Sequence, residues 1–281
     1  MRRTPLISTF SLLAAVALAG PAAAQILEPT AANRAVAVHL EMYDSFWREY
    51  TEQDDAREST ELEPFAGRAE SATSTLYQFC DGWSEQNSTL DDRGLVAQMA
   101  CFGEGADYDR GDGQADALSS NTLEADFNAP APLRLRIHAL YDGALDAEIG
   151  AATVEVRLNT ENGERYQLMA EAPWSGAEAE WRGWVAAGNV TLNAVVRAEV
   201  VASRWLDAYD PAESATASLE LELRGFCPGD FNCDEVVDGA DAAAYREAWL
   251  AGDPAADVDA SGTVDERDAQ LFRGAYRRGC E

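Results

Sequence analysis

The chain has 281 residues, with 50 acidic against 21 basic side chains and a net charge of −29, and every basic residue is an arginine. Such a surface repels phosphate backbones and anionic lipid, which excludes nucleic-acid binding and polybasic membrane attachment. A hydrophobic fraction of 47% over this length suits one or two folded domains with a real core, not a disordered acidic tail.

Residues 1–24 read as a signal peptide. Met1-Arg2-Arg3 is a short positive start, and Leu6 to Ala19 is an apolar run too short to span a bilayer. Ala22-Ala23-Ala24 supplies the small residues of a cleavage site, so export with cleavage after Ala24 is expected. The surroundings of Arg2-Arg3 match ordinary secretion better than twin-arginine export. No later stretch is long and apolar enough for a transmembrane helix. The expected location is extracellular or at the cell surface.

Residues 25–225 have an apolar period of mostly two. Leu133, Leu135, Ile137 and Ala139 alternate with Arg134, Arg136 and His138; Val154, Val156 and Leu158 alternate with Glu155 and Arg157. Leu219, Leu221 and Leu223 repeat the pattern, and Asn162-Gly163 marks a hairpin between strands near 152–158 and 165–170. Further strands are expected near 34–43, 72–79, 94–101, 181–187 and 189–201. The polar, glycine-rich stretch from Glu104 to Asn121 reads as a mobile loop. Eight to ten strands with turn-rich connections predict a jelly-roll-like β-sandwich.

This region shows no catalytic constellation. It has no G-x-S-x-G elbow and no phosphate-cradling glycine loop, and paired carboxylates mean little among 50 acids. His39 and His138 both fall in strand-like segments, where a satisfied sheet residue is the simpler reading than a general base. Trp174, Trp181 and Trp184 cluster in sequence. Core packing or cross-strand pairing is the plainer account of them, and an exposed platform for stacking on sugar rings is the sharper one.

The chemistry is concentrated near the C-terminus. Residues 230–241 and 257–268 are twelve-residue segments displaced by 27 residues. The first places Asp230, Asn232, Asp234, Asp238 and Asp241 at positions 1, 3, 5, 9 and 12; the second places Asp257, Asp259, Ser261, Asp265 and Asp268 there. Position 7, which would lend a backbone carbonyl, is Val236 or Thr263, and position 8 is Val237 or Val264. A hard cation taking six to eight oxygens needs this alternation, so two Ca2+ sites are expected. Without a cation, four carboxylates in each loop would crowd like charges together. The plainer alternative, two acidic surface turns, does not explain the duplicated spacing, the hydrophobic position 8 or the helix after each loop.

Those helices match as well, pairing Tyr245 with Phe272 and Trp249 with Tyr276 on faces that can pack together. Both loops end in Asp where an ordinary EF-hand has Glu, and Pro228-Gly229 stands where a preceding helix would be. Two loop-plus-helix repeats of this kind resemble the type I dockerin, the module that docks secreted enzymes onto cohesin domains. The segment CPGDFNCDEVVDGADAAAYREAWLAGDPAADVDASGTVDERDAQLFRGAYRRGC looks more closely like dockerin variants ending in Gly-Cys on exported proteins of planctomycete-like bacteria. The resemblance covers residues 227–281 and implies an EF-hand-like α-helical module that anchors the protein. Position 6 of the first loop is Glu235 where glycine is usual, and a left-handed backbone there would cost about 1 kcal/mol. Positions 10 and 11 are Gly239-Ala240 and Glu266-Arg267, where cellulosomal dockerins often carry Ser-Thr. The implied partner is therefore cohesin-like or another cell-surface anchor.

The five cysteines are read in an oxidising compartment. None has CxxC spacing, and with two histidines a structural zinc site does not fit. Cys80 and Cys101 pair by neighbourhood, and the Pro228-Gly229 turn can bring Cys227 to Cys233. Cys280 is then left as an anchoring thiol, in agreement with the Gly-Cys resemblance; in the competing arrangement it pairs with Cys227 or Cys233. The chain divides as signal peptide 1–24, β-sandwich 25–225 and dockerin-like module 226–281. The favoured function is a non-enzymatic exported protein displayed by a calcium-stabilised anchor. The alternative is a glycan-binding component of a polysaccharide-degrading system.

Overall fold

The protein is described by a computed structural model over residues 27–44, 49–74, 78–107, 114–202 and 212–279. The expected signal peptide and Cys280 lie outside these residues. The described strands are β1 Glu28–Asp44, β2 Glu49–Ser59, β3 Phe65–Ser74, β4 Gln78–Asp91, β5 Gly94–Asp107 and β6 Gln114–Ala129, then β7 Leu133–Asp146, β8 Gly150–Thr160, β9 Gly163–Glu171, β10 Trp174–Val185, β11 Gly188–Ala202 and β12 Glu213–Phe226. They form two six-stranded antiparallel sheets, in the orders β2-β1-β6-β11-β8-β9 and β10-β7-β12-β5-β4-β3. Alternate residues of both sheets meet between them. Val190, Leu192, Val196 and Val200 of β11 and Leu219, Leu221 and Leu223 of β12 are all buried in one core. Each such side chain contributes about 1.5–3 kcal/mol of burial, which is why the period-two pattern produces a sandwich.

The structure adds strands that alternation did not reveal. The segment expected to be a mobile loop, Glu104 to Asn121, instead contains the end of β5 and the start of β6, a central strand of its sheet; residues 108–113 lie outside the description. The inward residues of β6 there are Ala115, Ala117, Ser119 and Asn121, too small or polar to give a hydrophobic signal. Their burial is tolerated because the Ser119 hydroxyl donates to the Phe102 carbonyl and the Asn121 amide donates to the Glu85 carbonyl at 2.6 Å. Small side chains also let the sheets approach closely: a Cβ on Gly105 would lie 2.9 Å from the Ala115 carbonyl oxygen. β2 was also missed, because as a charged edge strand it carries no apolar row.

Neither expected disulfide forms. Cys80 and Cys101 lie on adjacent strands, but their ladder partners are Gly105 and Ser84, four rungs apart. Both are buried free thiols, hydrogen-bonded to the carbonyls of Glu41 and Val196 at 3.7 and 3.4 Å, and burial pushes each up to about 12. Thiols held so far from the thiolate form are chemically inert. Cys233 is also a buried free thiol, which rules out its pairing with Cys227.

The chain changes character immediately after β12. Helix α1 spans Gly239–Ala251, a 3-10 turn spans Pro254–Ala256, and helix α2 spans Glu266–Arg278. Phe231, Tyr245, Val258, Ala269 and Phe272 form a small core of their own, joined by Trp184 of β10. Tyr245 and Phe272 stack with centroids 4.0 Å apart, and Phe231 meets both edge-on.

Candidate metal centre

Each helix begins inside its loop. Asp238 is the N-cap of α1 and Asp241 its third residue; Asp265 and Asp268 hold the same places in α2, and both pairs form reciprocal capping boxes. Position 9 and position 12 of each loop therefore fix the helix start as well as presenting oxygens. The position 9 side chains accept from the backbone N–H of Ala240 and Arg267, each at 2.7 Å. Position 2 points the other way, into the small core, as Phe231 in one loop and Val258 in the other.

The carboxylates at positions 1 and 12 are held alike in the two loops. Asp230 accepts from the N–H groups of Asp234 and Glu235 at 3.1 and 2.9 Å, and Asp241 accepts from those of Asn232 and Asp238 at 3.0 and 2.8 Å. In the second loop, Asp257 accepts from Ser261 and Gly262 at 2.9 and 2.7 Å, and Asp268 from Asp259 and Asp265 at 3.2 and 2.8 Å. All four carboxylates are buried, Asp241 and Asp268 completely. Burial pushes the Asp230 carboxyl up; its two backbone donors pull it down, and the charges of Asp241 and Asp234 push it up again. Such crowding is relieved by a cation. One oxygen each from Asp257, Asp259 and Asp268 lies within 4.8 Å of the others.

The intermediate positions complete the arrangement. Asn232 and Asp234 are joined by a 2.7 Å hydrogen bond, and Asp234 accepts from the Val236 N–H at 2.9 Å. Ser261 donates to the Thr263 carbonyl at 3.2 Å. The loops turn through left-handed residues at two positions each: Cys233 and Glu235 in the first (φ 62° and 68°), Ala260 and Gly262 in the second (φ 55° and 89°). The strain expected at Glu235 is present. The turn at position 4 had no sequence signal, since neither loop has glycine there. The set is all oxygen, anionic and partly buried, which fits a hard divalent cation. Position 3 of the second loop is engaged from within the loop: Arg267, at position 11, lies 3.2 Å from Asp259.

The three tryptophans do not make a platform. Trp181 and Trp184 are three residues apart on β10 and so point to opposite faces. Trp174 packs on Tyr141 and Trp181 on Tyr166 at the margin of the sandwich core, with centroids 5.9 and 6.0 Å apart. Trp184 is 5% exposed beneath the helical segment and donates to the Ala255 carbonyl at 2.7 Å. His39 and His138 are paired with Asp54 and Glu178 at 2.7 and 2.8 Å across neighbouring strands.

Comparison with known proteins locates the relationship at this end of the chain. The family model described as Dockerin type I domain matches residues 228–273. A search of curated proteins found no match. Among solved structures, the chain is similar to TmCBM61 in complex with beta-1,4-galactotriose (10% identity, TM-score 0.25, covering 42% of this chain and 72% of that one). It is also similar to the enzymatically active domain of tailspike protein 4 of bacteriophage CBA120 (10% identity, TM-score 0.21, covering 57% and 19%). At TM-scores this low, nothing about ligand or activity follows.

Proposed function

We propose that the chain is an exported, non-enzymatic protein whose β-sandwich is attached to a surface partner, cohesin-like or otherwise, by a dockerin-type module holding two calcium ions. The observation that carries this reading is the duplicated cage of oxygens: at positions 1 and 12 of both loops, buried carboxylates are aimed by matching backbone donors. The match to the type I dockerin model over 228–273 supports it. In this reading Asp230, Asn232, Asp234, Asp238, Asp241 and the Val236 carbonyl hold one ion; Asp257, Asp259, Ser261, Asp265, Asp268 and the Thr263 carbonyl hold the other. Calcium supplies the charge that lets each cage close. Calorimetric titration of the chelated full chain is expected to show two equivalents of calcium and a rise in melting temperature. No binding heat and an unchanged melting curve would overturn it.

The strand orders support a jelly-roll winding for the sandwich. From β5 to β12 the eight strands divide as β10-β7-β12-β5 and β6-β11-β8-β9, as two interlocked Greek keys do. Cys233 is free while Cys227 is disulfide-bonded, which favours the arrangement in which Cys227 pairs with Cys280 over a free anchoring thiol. Non-reducing peptide mapping is expected to recover those two cysteines in one linked peptide, and a free Cys280 would restore the thiol-handle reading.

The glycan-binding alternative now rests on a different surface. A groove of about 590 Å³ on the outer face of the second sheet is lined by Trp83, Glu85, Gln98, Leu140, Asp142 and Glu220, among others. It joins an aromatic ring to planar hydrogen-bonding groups, the combination that suits a sugar chain. Glycan-array binding that is lost in Trp83→Ala would favour this reading.

A further inference from the structure

The end of the second sheet nearest the helical segment carries a concentration of arginines that is unusual in so acidic a chain. Arg134, Arg136, Arg182 and Arg224 occupy adjoining rungs of β7, β10 and β12 on its outer face, and Arg93 lies in the turn before β5. Arg134 is 7% exposed. Its guanidinium lies 4.2 Å from the centre of the Phe231 ring and donates to the Phe231 carbonyl. Arg182 donates to the Asn232 carbonyl at 3.4 Å, and Arg93 lies 3.6 Å from the Glu235 carboxylate. Every one of these partners belongs to the first loop. Among the described residues, no hydrogen bond or ion pair joins the sandwich to residues 257–268.

We propose that calcium binding at the first loop and seating of the module on the second sheet are one coupled equilibrium, with Arg134 and Arg182 as positioning residues. This rests on the calcium reading above. The arginines use the carbonyl oxygens of positions 2 and 3, whereas the ion takes side chains and the carbonyl of position 7, so the two do not compete for atoms. Five carboxylates, four of them at ligand positions, less two charges leave the loaded loop anionic, and it still attracts them. Without the ion, the crowded carboxylates open the loop and withdraw the Phe231 carbonyl and ring. If the module stayed seated, Arg134 would be a buried cation without its carbonyl partner, which is costly, so the module lifts from the sheet. Because coupling is reciprocal, whatever calcium adds to docking, docking adds to calcium affinity.

The test is calcium titration of the full chain by calorimetry, comparing the wild type with Arg134→Met and the milder, surface-exposed Arg182→Gln. Arg134→Met is expected to weaken one site five- to tenfold and leave the other within twofold, with Arg182→Gln shifting the same site less. The shift should persist in an Asp268→Ala background, where only the first loop remains, and vanish in Asp241→Ala. In parallel, chelation should raise hydrogen exchange across residues 181–185 of β10 in the wild type. Unchanged affinity at both sites in both arginine variants would overturn the coupling while leaving two calcium ions bound. A wild type that binds no calcium would overturn the calcium reading itself. Circular dichroism of the sheets checks that each variant is folded, and Arg182→Gln carries the test alone if Arg134→Met is not.

Discussion

The two loops share spacing, helix caps and buried carboxylates, yet they are supported from different sides. The first leans on the sandwich through Arg134, Arg182 and Arg93 and has a left-handed glutamate at position 6. The second has glycine at that position and contacts an arginine of its own helix, Arg267, at a ligand carboxylate. Similar carboxylate placement can thus be reached with outside bracing and two left-handed non-glycine residues, or with one such residue and a local countercharge. The difference matters because it assigns the sandwich's polar contacts with the two loops, among the described residues, to the first loop alone.

Removing position 12 is the most severe way to test that division. Asp241→Ala and Asp268→Ala each delete a buried carboxylate that accepts two backbone donors. Each is expected to weaken its own site at least tenfold in calorimetry; a variant that abolished both sites together would show the loops to be one unit. Backbone relief comes next. Ala260→Gly should stabilise the module by about 1 kcal/mol by removing left-handed strain, and Glu235→Gly by less, because it also breaks the Arg93 pair. Thermal denaturation with calcium present measures both, and equal gains would mean that the Arg93 pair contributes nothing. The smallest effect is expected for Arg267→Ala. Freeing the Asp259 oxygen from a pair whose arginine is 75% exposed should tighten the second site about two- to fivefold at most and leave the first unchanged. Weaker binding at the second site would instead make Arg267 part of its support.

The loops were legible because every donor lies within twelve consecutive residues, so spacing alone carries the geometry. The β class was legible wherever large apolar residues alternate, as in β7, β8 and β12. It failed in the first half of β6, whose inward residues are Ala115, Ala117, Ser119 and Asn121, and in β2, which has no buried row. Cys80 and Cys101 were misjoined because nearness in sequence says nothing about ladder register. The separation of Trp181 from Trp184 was in principle readable, since an odd spacing along a strand reverses the face. The arginine seat was not readable: its members come from β7, β10 and the turn before β5, and only the folded sheet brings them together.

The join between the two parts has a mechanical consequence. β12 ends at Phe226, the first loop begins at Asp230, and β12 is hydrogen-bonded on both flanks, to β7 and to β5. A tension applied through the attached module enters the sandwich along the axis of an interior strand. It loads two antiparallel ladders in shear, where an edge strand such as β3 or β9 has one to share the same load. The grip is fastened to the part of the sandwich best able to bear a pull.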